Sequence, residues 1–233
     1  MKRIVQLMLQ SELSLLEDGK DENCFEGKGE ICTFLNPVSY LDARKNKELF
    51  SEFDRIFVDG SILIGAIRVL YGKKLKRRSF DMTSVAPLLF DYSLKNNKSI
   101  YIVGAKEEEL KTTINILKRN YPKLNLIRCR NGYFDGQKEK EEEYEKIISN
   151  SPDFLIVGMG IIHQERFLVE IKNKGFKGGG FTCGGFISQT AKGVDKIDYY
   201  PEWVDKYNVR FLYRMYKEKH TRKRYLKAAF IFP

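Results

Sequence analysis

The stretch that most constrains the fold of this chain is FLIVGMGIIHQERFL, residues 154–168. Four apolar residues are followed by a turn containing Gly158 and Gly160, and the polar residues 163–165 then begin an amphipathic segment. A short, wholly apolar run is typical of a parallel strand buried on both faces. Strand, glycine turn and helix in this order predict one unit of an open α/β sheet, whose carboxyl edge suits a phosphate-bearing ligand. An ordinary turn is the alternative interpretation of the two glycines.

The same alternation recurs along the chain. Strands are predicted at residues 30–35, 55–58, 99–103, 124–129 and 153–157, and helices at 37–46, 62–70, 84–95, 106–121, 137–150 and 164–174. Asn36 and Pro37 suit the start of the first helix, and Gly72 can end the second. Residues 176–183 are predicted to form a glycine-rich strand and loop, residues 17–29 a surface loop, and the charged helix 137–150 a solvated face. Together these elements predict a parallel, Rossmann-like α/β sheet flanked by helices.

Length and composition limit the classes of protein that fit. The chain has 233 residues, 42% of them hydrophobic, which is enough for one α/β domain with a sizeable core. Its longest apolar runs fall well short of the roughly 18 residues needed to cross a bilayer. The four cysteines are scattered without a C-x-x-C pair, so buried thiols are expected and a metal site is not. These features predict a cytoplasmic protein.

The net charge of +10 is concentrated near the C-terminus. Residues 201–233 contain nine basic and three acidic residues. A basic segment of this kind favours an anionic partner, which leaves a membrane surface, a nucleic acid or a phosphorylated ligand open. We therefore predict a catalytic or binding domain over residues 1–200 and a basic helical appendage over residues 201–233.

Several short segments, taken in order, carry a family resemblance. They are FLNP, VDG, a basic segment of the form R-x-S, IYIVGA, NYPKLNLIRCRNGYF, PDFLIVGMGIIHQE, GGGFTCGGF, FLYRM and KRYL. In this order and at this spacing they resemble the WecG/TagA/CpsF glycosyltransferases, over about residues 33–226.

The resemblance implies an enzyme that moves an N-acetylmannosamine-type or related sugar from a UDP donor. The implied acceptor is a sugar on a membrane-anchored polyprenyl diphosphate, and the product enters teichoic acid, capsule or exopolysaccharide synthesis. Transfer in such enzymes inverts the anomeric centre and uses no bound metal or other cofactor. The resemblance also implies that the basic appendage binds the anionic inner face of the plasma membrane, and it raises a homo-oligomer as a hypothesis.

Asp59 is the predicted general base of this reaction. It follows a predicted strand and matches the acid of the family's D-G motif together with Gly60, and an inverting transfer needs one carboxylate to take the proton of the acceptor hydroxyl. The alternative is that Asp59 caps the helix that follows. Gln164 matches a family glutamine that could bind the donor, and Glu165 could instead orient its neighbours or cap a helix.

Arg77 is the predicted partner of the donor diphosphate. A guanidinium can neutralise a leaving UDP, and its geometry suits phosphate oxygens. Lys76 and Arg78 are alternatives for this role, and a solvated basic turn is the simplest competing interpretation. The segment RRSFDMTS departs from the family's common form, so either Asp81 or Met82 takes the place of its acid.

Other predicted substrate contacts follow from the resemblance. Asn36 matches the asparagine of a T-x-N motif, whose threonine position falls on Phe34, with Thr33 beside it. Many members have an aspartate after the glycines of the GGF segment, where this chain has Ile187 and Ser188, so we expect a changed sugar pocket. The remaining predicted contacts for the donor or lipid are Gly104, Asn131, Gly132, Tyr133, Gly158, Gly160, Gly185, Arg214, Arg222 and Arg224.

Three other functions compete with this interpretation. A nucleotide-sugar-binding protein without activity would keep the glycines and lose the base, whereas Asp59 is present. A dinucleotide oxidoreductase would need a G-x-G-x-x-G segment after its first strand, which this chain lacks. A nucleic-acid-binding module would be expected to combine basic charge with a recognisable motif, and none accompanies the basic appendage, so nucleic acid is not a predicted partner.

Overall fold

The computed structural model describes residues 2–18 and 29–193, together with Val204, Leu212, Tyr213 and Tyr216. The strands are β1 (Ile31–Leu35), β2 (Arg55–Val58), β3 (Ser99–Gly104), β4 (Asn125–Arg130), β5 (Phe154–Gly158) and β6 (Gly179–Thr182). The helices are α1 (Lys2–Asp18), α2 (Pro37–Lys45), α3 (Lys47–Ser51), α4 (Ser61–Tyr71), α5 (Val85–Lys95), α6 (Glu107–Asn120), α7 (Gln137–Asn150), α8 (His163–Asn173) and α9 (Phe186–Lys192).

The strands form one parallel sheet with the order β2-β1-β6-β5-β3-β4. This arrangement confirms the predicted Rossmann-like fold. The last strand in the sequence, β6, lies in the middle of the sheet, where Gly180 pairs with both Ile31 of β1 and Leu155 of β5. The direction of the connections reverses around β6, and ligands bind at the carboxyl edge of such a reversal in open α/β sheets.

Helices cover both faces of the sheet. Side chains of α1–α4, α7 and α8 form the apolar core on one face, and side chains of α5, α6 and α9 form the core on the other. Strand β5 contributes alternately to both, because Leu155 and Val157 join the first core while Phe154 and Ile156 join the second. Burial on both faces explains the continuous apolar run of this strand.

Helices α1, α3 and α9 were not predicted from the sequence. Helix α1 packs against β2, and its Ile4, Val5 and Met8 are buried in the core. Two polar residues of the same helix are also buried: the Ser11 hydroxyl accepts a hydrogen bond from Ile56 N at 3.0 Å, and the Glu12 carboxylate binds another segment. The predicted surface loop at residues 17–29 is wrong at its start, because α1 continues to Asp18.

The charged helix α7 is less solvated than its sequence predicts. Its Glu143 and Tyr144 are buried. Tyr101 on β3 donates a hydrogen bond to Glu143 at 2.6 Å, and Tyr144 donates to Glu170 on α8 at 2.7 Å. These pairs satisfy the polar atoms that the packing buries, so one side of α7 belongs to the core.

Within residues 2–18 and 29–193, no helix combines the length and the apolar character needed to span a bilayer.

Candidate active site

A cavity of about 670 Å³ opens at the carboxyl edge of the sheet. Its walls come from the segments that follow the strands on both sides of β6. Ten of the residues predicted from the sequence line it: Asn36, Asp59, Gly60, Arg77, Gly132, Tyr133, Gly158, Gly160, Gln164 and Gly185. The fold therefore brings together side chains that are distant in the sequence.

Asp59 and Arg77 share one wall of this cavity. Asp59 directly follows β2, and Gly60 has a φ of 104°, a backbone conformation that favours glycine at this turn. Arg77 donates from Nε to Oδ1 of Asp59 at 3.2 Å. Helix α4 begins after Gly60, which occupies the N-cap position and has no side chain to cap the helix.

The other contacts of Arg77 distinguish it from its neighbours. Its Nη2 bonds to Oδ2 of Asp81 at 2.7 Å and also contacts the hydroxyl of Ser79. The adjacent Arg78 points away from the cavity and is buried, where its Nη1 binds the two carboxylate oxygens of Glu12 at 3.2 and 2.9 Å. Arg77 is thus the arginine of this segment that faces the cavity.

Of the two candidates for the position of the family's acid, Asp81 lines the cavity and Met82 does not. Its Oδ1 accepts hydrogen bonds from the backbone N and the hydroxyl of Thr83 at 2.9 and 2.6 Å. The carboxylate is therefore oriented from one side by Thr83 and from the other by Arg77. Held in this way, it fixes the guanidinium against the cavity wall.

Glu165 lies beneath the cavity and does not line it. Its Oε1 accepts hydrogen bonds from the Thr33 hydroxyl at 3.0 Å and from Gln164 Nε2 at 2.9 Å, and its Oε2 accepts one from Ile162 N at 2.6 Å. Burial raises the pKa of this carboxyl, although the hydrogen bonds oppose the shift. Glu165 thus orients its neighbours and caps α8, in agreement with the alternative role considered for it.

The turn that Glu165 caps is strained. Ile162 has a φ of 73°, which is an outlier for a β-branched residue. Its backbone N is the group that Oε2 of Glu165 accepts from, so the carboxylate stabilises this conformation. Strained backbone of this kind concentrates at functional sites. The turn carries the exposed His163 and the buried Gln164 to the cavity.

Gln164 links two walls of the site. Its Nε2 donates to Glu165, and its Oε1 accepts a hydrogen bond from Gly184 N at 3.1 Å. One amide hydrogen and one oxygen lone pair are therefore committed to the protein, which leaves one of each for a ligand. Asn36 is similarly committed, because its Oδ1 caps α2 by accepting from Val38 N and Ser39 N.

Three predicted contact residues do not line the cavity. Thr33 is fully buried, where it donates to Glu165 and accepts from Thr182 at 2.9 Å. Gly104 packs its backbone against Gly158, and Asn131 uses its amide to bind Glu107 at 2.9 Å. Their predicted direct contact with the substrate finds no support, since each is occupied by interactions that hold the walls together.

Glu109, which was not predicted, completes the wall near α9 together with Ser188. Ile187 is buried, whereas Ser188 lines the cavity and donates to Oε2 of Glu109 at 2.8 Å. Glu109 comes from α6 and also lines the cavity. A carboxylate thus stands beside Ser188, where many relatives were expected to have an aspartate. Only the packing of α6 against α9 brings the two residues together.

Tyr133 stands at the rim and is 65% exposed. Its loop is held by Arg130, which was also not predicted. The Arg130 guanidinium lies 3.7 Å from the centroid of the Phe134 ring, and its Nη1 donates to the carbonyl oxygens of Asn131 and Tyr133 at 2.6 and 2.9 Å. A fixed backbone with an exposed ring suits stacking on a planar ligand.

Cys32 and Cys183 are buried thiols, as expected, and burial raises the pKa of Cys183 to about 12. The described part of the chain contains no group of three or more His, Cys, Asp or Glu side chains arranged to hold a metal ion. Arg214, Arg222 and Arg224, and with them most of the predicted appendage at 201–233, lie outside the described residues.

Comparisons with known proteins identify relatives of this chain. A galactosyltransferase of Shigella boydii, named UDP-Gal:alpha-D-GlcNAc-diphosphoundecaprenol beta-1,4-galactosyltransferase, is 34% identical over 84% of this chain and 80% of that protein. Two N-acetylglucosaminyldiphosphoundecaprenol N-acetyl-beta-D-mannosaminyltransferases are more distant. The protein of Bacillus spizizenii is 26% identical over 82% of this chain and 72% of its own length, and that of Bacillus subtilis is 25% identical over 89% and 79%.

The model of one protein family, described as glycosyl transferase WecG/TagA/CpsF family, matches residues 15–233. This match covers the cavity and the whole sheet. The chain therefore belongs to the WecG/TagA/CpsF family of glycosyltransferases.

Proposed function

We propose that this enzyme transfers a hexosyl group from a UDP-sugar to a sugar linked to polyprenyl diphosphate, in the synthesis of a bacterial cell-surface polysaccharide. The observation that carries the proposal is the contact between Asp59 and Arg77 on the wall of the cavity. The proposed acceptor is the one in the names of the relatives, and the proposed donor nucleotide is the one in the name of the Shigella boydii galactosyltransferase.

In the proposed step, the acceptor hydroxyl oxygen attacks the anomeric carbon of the donor. The bond from that carbon to the diphosphate oxygen breaks, UDP leaves with the electron pair, and the configuration inverts. The proton of the acceptor hydroxyl passes to Asp59, which acts as the general base. Arg77 balances the charge that develops on the departing diphosphate, so the step is proposed to need no bound metal.

The contacts of Arg77 fit this division of roles. Asp81 and Ser79 contact Nη2 of the guanidinium, which also lies 3.2 Å from Oδ1 of Asp59, so two carboxylates share one cation. When an anionic diphosphate shares the guanidinium, Asp59 loses part of its partner and becomes more basic, since a nearby cation favours the charged carboxylate. Donor binding would thereby prepare the base for the acceptor.

The donor sugar is proposed to be galactose or N-acetylmannosamine, as in the relatives. The relative of highest identity among those described is the galactosyltransferase, and the Glu109–Ser188 pair gives the cavity a hydrogen-bonding wall. The ten predicted residues that line the cavity remain the proposed substrate contacts. Among them, Tyr133 is proposed to stack on the uracil ring. The basic appendage at 201–233 is proposed to support peripheral binding to the inner membrane face.

The test is acceptor-dependent release of UDP. UDP-galactose and UDP-N-acetylmannosamine would be supplied with and without polyprenyl-diphosphate-linked N-acetylglucosamine, in the presence and absence of EDTA. The wild type should release UDP from one donor only when acceptor is present, and EDTA should not change the rate. Asp59→Asn should lower that rate by about 10²-fold or more, whereas Asp91→Asn, on an exposed part of α5, should not.

Two results would contradict the proposal. UDP binding without release from either donor would favour the alternative of a nucleotide-sugar-binding protein without this activity. Release that Asp59→Asn leaves unchanged would remove Asp59 from the role of base.

A further inference from the structure

Helix α4 carries an exposed apolar surface beside the mouth of the cavity. Ile62, in its first turn, lines the cavity, and the last turn exposes Val69 by 84% and Leu70 by 58%. Tyr71 is also exposed. We call Ile62, Val69, Leu70, Tyr71 and the basic residues Arg68, Lys73 and Lys74 the α4 surface.

The charge around these apolar residues has one sign. Arg68, Lys73 and Lys74 are exposed next to them. No acidic residue occurs between Gly60 and Phe80. An apolar projection ringed by basic side chains is complementary to an anionic bilayer, because the apolar groups enter the acyl boundary while the cations stay with the headgroups.

The position of α4 connects this surface to the chemistry. The helix starts two residues after Asp59, and only its Leu63 and Ile67 are fully buried in the core. Its exposed end therefore projects away from the sheet while its first turn remains at the cavity. The 11 residues of α4 span roughly 16 Å, so a bilayer bound to the last turn would lie about one helix length from the cavity wall at Ile62.

We propose that the α4 surface inserts into an anionic bilayer and presents the mouth of the cavity to the lipid. The residues of this surface belong to 62–74 and not to the predicted appendage at 201–233, and the proposal rests on the proposed function only for the lipid-linked nature of the acceptor. The occupant is the membrane itself, recognised by apolar insertion of Val69 and Leu70 and by the cations of Lys73 and Lys74.

The first test measures binding of the full chain to vesicles. Vesicles containing phosphatidylglycerol should bind the wild type more tightly than vesicles of phosphatidylcholine alone. Val69→Ser with Leu70→Ser, and separately Lys73→Gln with Lys74→Gln, should each weaken binding to the anionic vesicles by about tenfold or more.

Matched controls come from the opposite side of the sheet. Ile127→Ser removes an apolar residue that is 37% exposed on the far edge strand β4. Lys118→Gln with Lys123→Gln removes the same charge from exposed positions near that edge. Both controls should bind the vesicles as the wild type does.

The second test detects insertion directly. A tryptophan introduced as Val69→Trp should be quenched by brominated lipids beyond the level of the wild type, and a tryptophan introduced as Ile127→Trp should not. Unchanged vesicle affinity in both α4 variants, together with no added quenching at position 69, would overturn the proposal. So would vesicle-independent self-association that is lost in Val69→Ser with Leu70→Ser while vesicle affinity stays unchanged, since a second copy would then cover the surface.

Measurements of UDP release distinguish a failure of the membrane proposal from a failure of the proposed reaction. With a water-soluble acceptor that has a short lipid chain, Val69→Ser with Leu70→Ser should release UDP at the wild-type rate. With a long-chain acceptor in anionic vesicles, the same variant should be slower by about the factor measured in vesicle binding. If the wild type binds vesicles through α4 but releases UDP with neither acceptor, the membrane proposal is supported and the proposed reaction is contradicted.

Discussion

Arg77 donates a hydrogen bond from its Nε to the Oδ1 of Asp59 at 3.2 Å, although the two residues lie on different segments of the chain. The backbone explains the contact, because Arg78 N donates to the carbonyl oxygen of Val58 at 2.9 Å and so fixes the basic segment beside the end of β2. Arg77 is the residue before Arg78, so its side chain points to the other side of the segment and faces the cavity. The pair joins a proton acceptor and a permanent cation in one rigid unit.

The neighbouring arginines should respond to substitution in opposite ways. Arg77→Lys keeps the charge but loses the planar fork, so kcat/KM should fall by about 10²-fold while the melting temperature stays close to that of the wild type. Arg78→Met leaves Glu12 buried without its guanidinium, so the free energy of unfolding should fall by about 3–5 kcal/mol. Kinetics and denaturant unfolding of both variants check this. A larger loss of stability from Arg77→Lys than from Arg78→Met would contradict it.

The buried carboxyl of Glu165 should make stability depend on pH. Because burial raises its pKa above the ordinary 4.5, there is a pH range above 4.5 in which Glu165 keeps its proton in the native state and has lost it in the unfolded chain. The free energy of unfolding contributed by this group therefore falls as the pH rises from about 4.5 through the native pKa. Subtracting the pH profile of Glu165→Gln from that of the wild type should reveal this slope. Glu145→Gln, on the exposed side of α7, serves as the control and should give no such difference.

Gly104 should not tolerate a side chain. A Cβ at this position would lie within 2.8 Å of the Cα and carbonyl carbon of Gly158, and these backbone atoms cannot rotate away. Gly104→Ala should lower the free energy of unfolding by about 3 kcal/mol. Gly65→Ala is the control, because its Cβ meets no atom within 4 Å in the middle of α4, and it should raise stability by about 0.5 kcal/mol. Equal denaturation midpoints for the two variants would contradict the packing argument.

Tyr133 should contribute to nucleotide affinity and little to stability. Its ring is largely exposed while Arg130 holds its backbone, so removing the ring leaves the loop in place. Tyr133→Ala should raise the KM for the UDP-sugar by about tenfold, as expected for loss of one base-stacking contact. Tyr133→Phe keeps the stacking surface and should behave as the wild type. Loss of affinity in Tyr133→Phe as well would point to the hydroxyl instead of the ring.

The elements that the sequence predicts well are those with a strong local signal. Strand β2 and helix α7 have the predicted bounds, because a short apolar run and a long charged run are each unambiguous. Helix α1 was not predicted, although Ile4, Val5 and Met8 recur at the helical spacing that buries them in the core. The position of β6 could not be predicted, because its partners Ile31 and Leu155 are chosen by packing across the whole sheet.

The site likewise contains residues whose placement the sequence predicts and residues whose placement depends on packing. Asp59 and Gln164 follow strands that the sequence predicts, so their placement at the carboxyl edge could be foreseen. The choice between Arg77 and Arg78 could not, since adjacent side chains of an extended segment point to opposite sides and only the anchoring at Val58 decides which one faces the cavity. The contact between Glu109 and Ser188 depends on two helices that meet far apart in the sequence.

The central position of β6 has a consequence for how the enzyme matures. Strands β1 and β2 can pair with each other early in synthesis, and so can β3, β4 and β5, but the two groups are joined only when Gly180 pairs with Ile31. Contacts between such distant positions form slowly during folding. Until then each group exposes an unpaired edge, which is prone to aggregate. Asp59 and Gln164 belong to opposite groups, so a partly folded chain cannot process substrate before its last strand is in place.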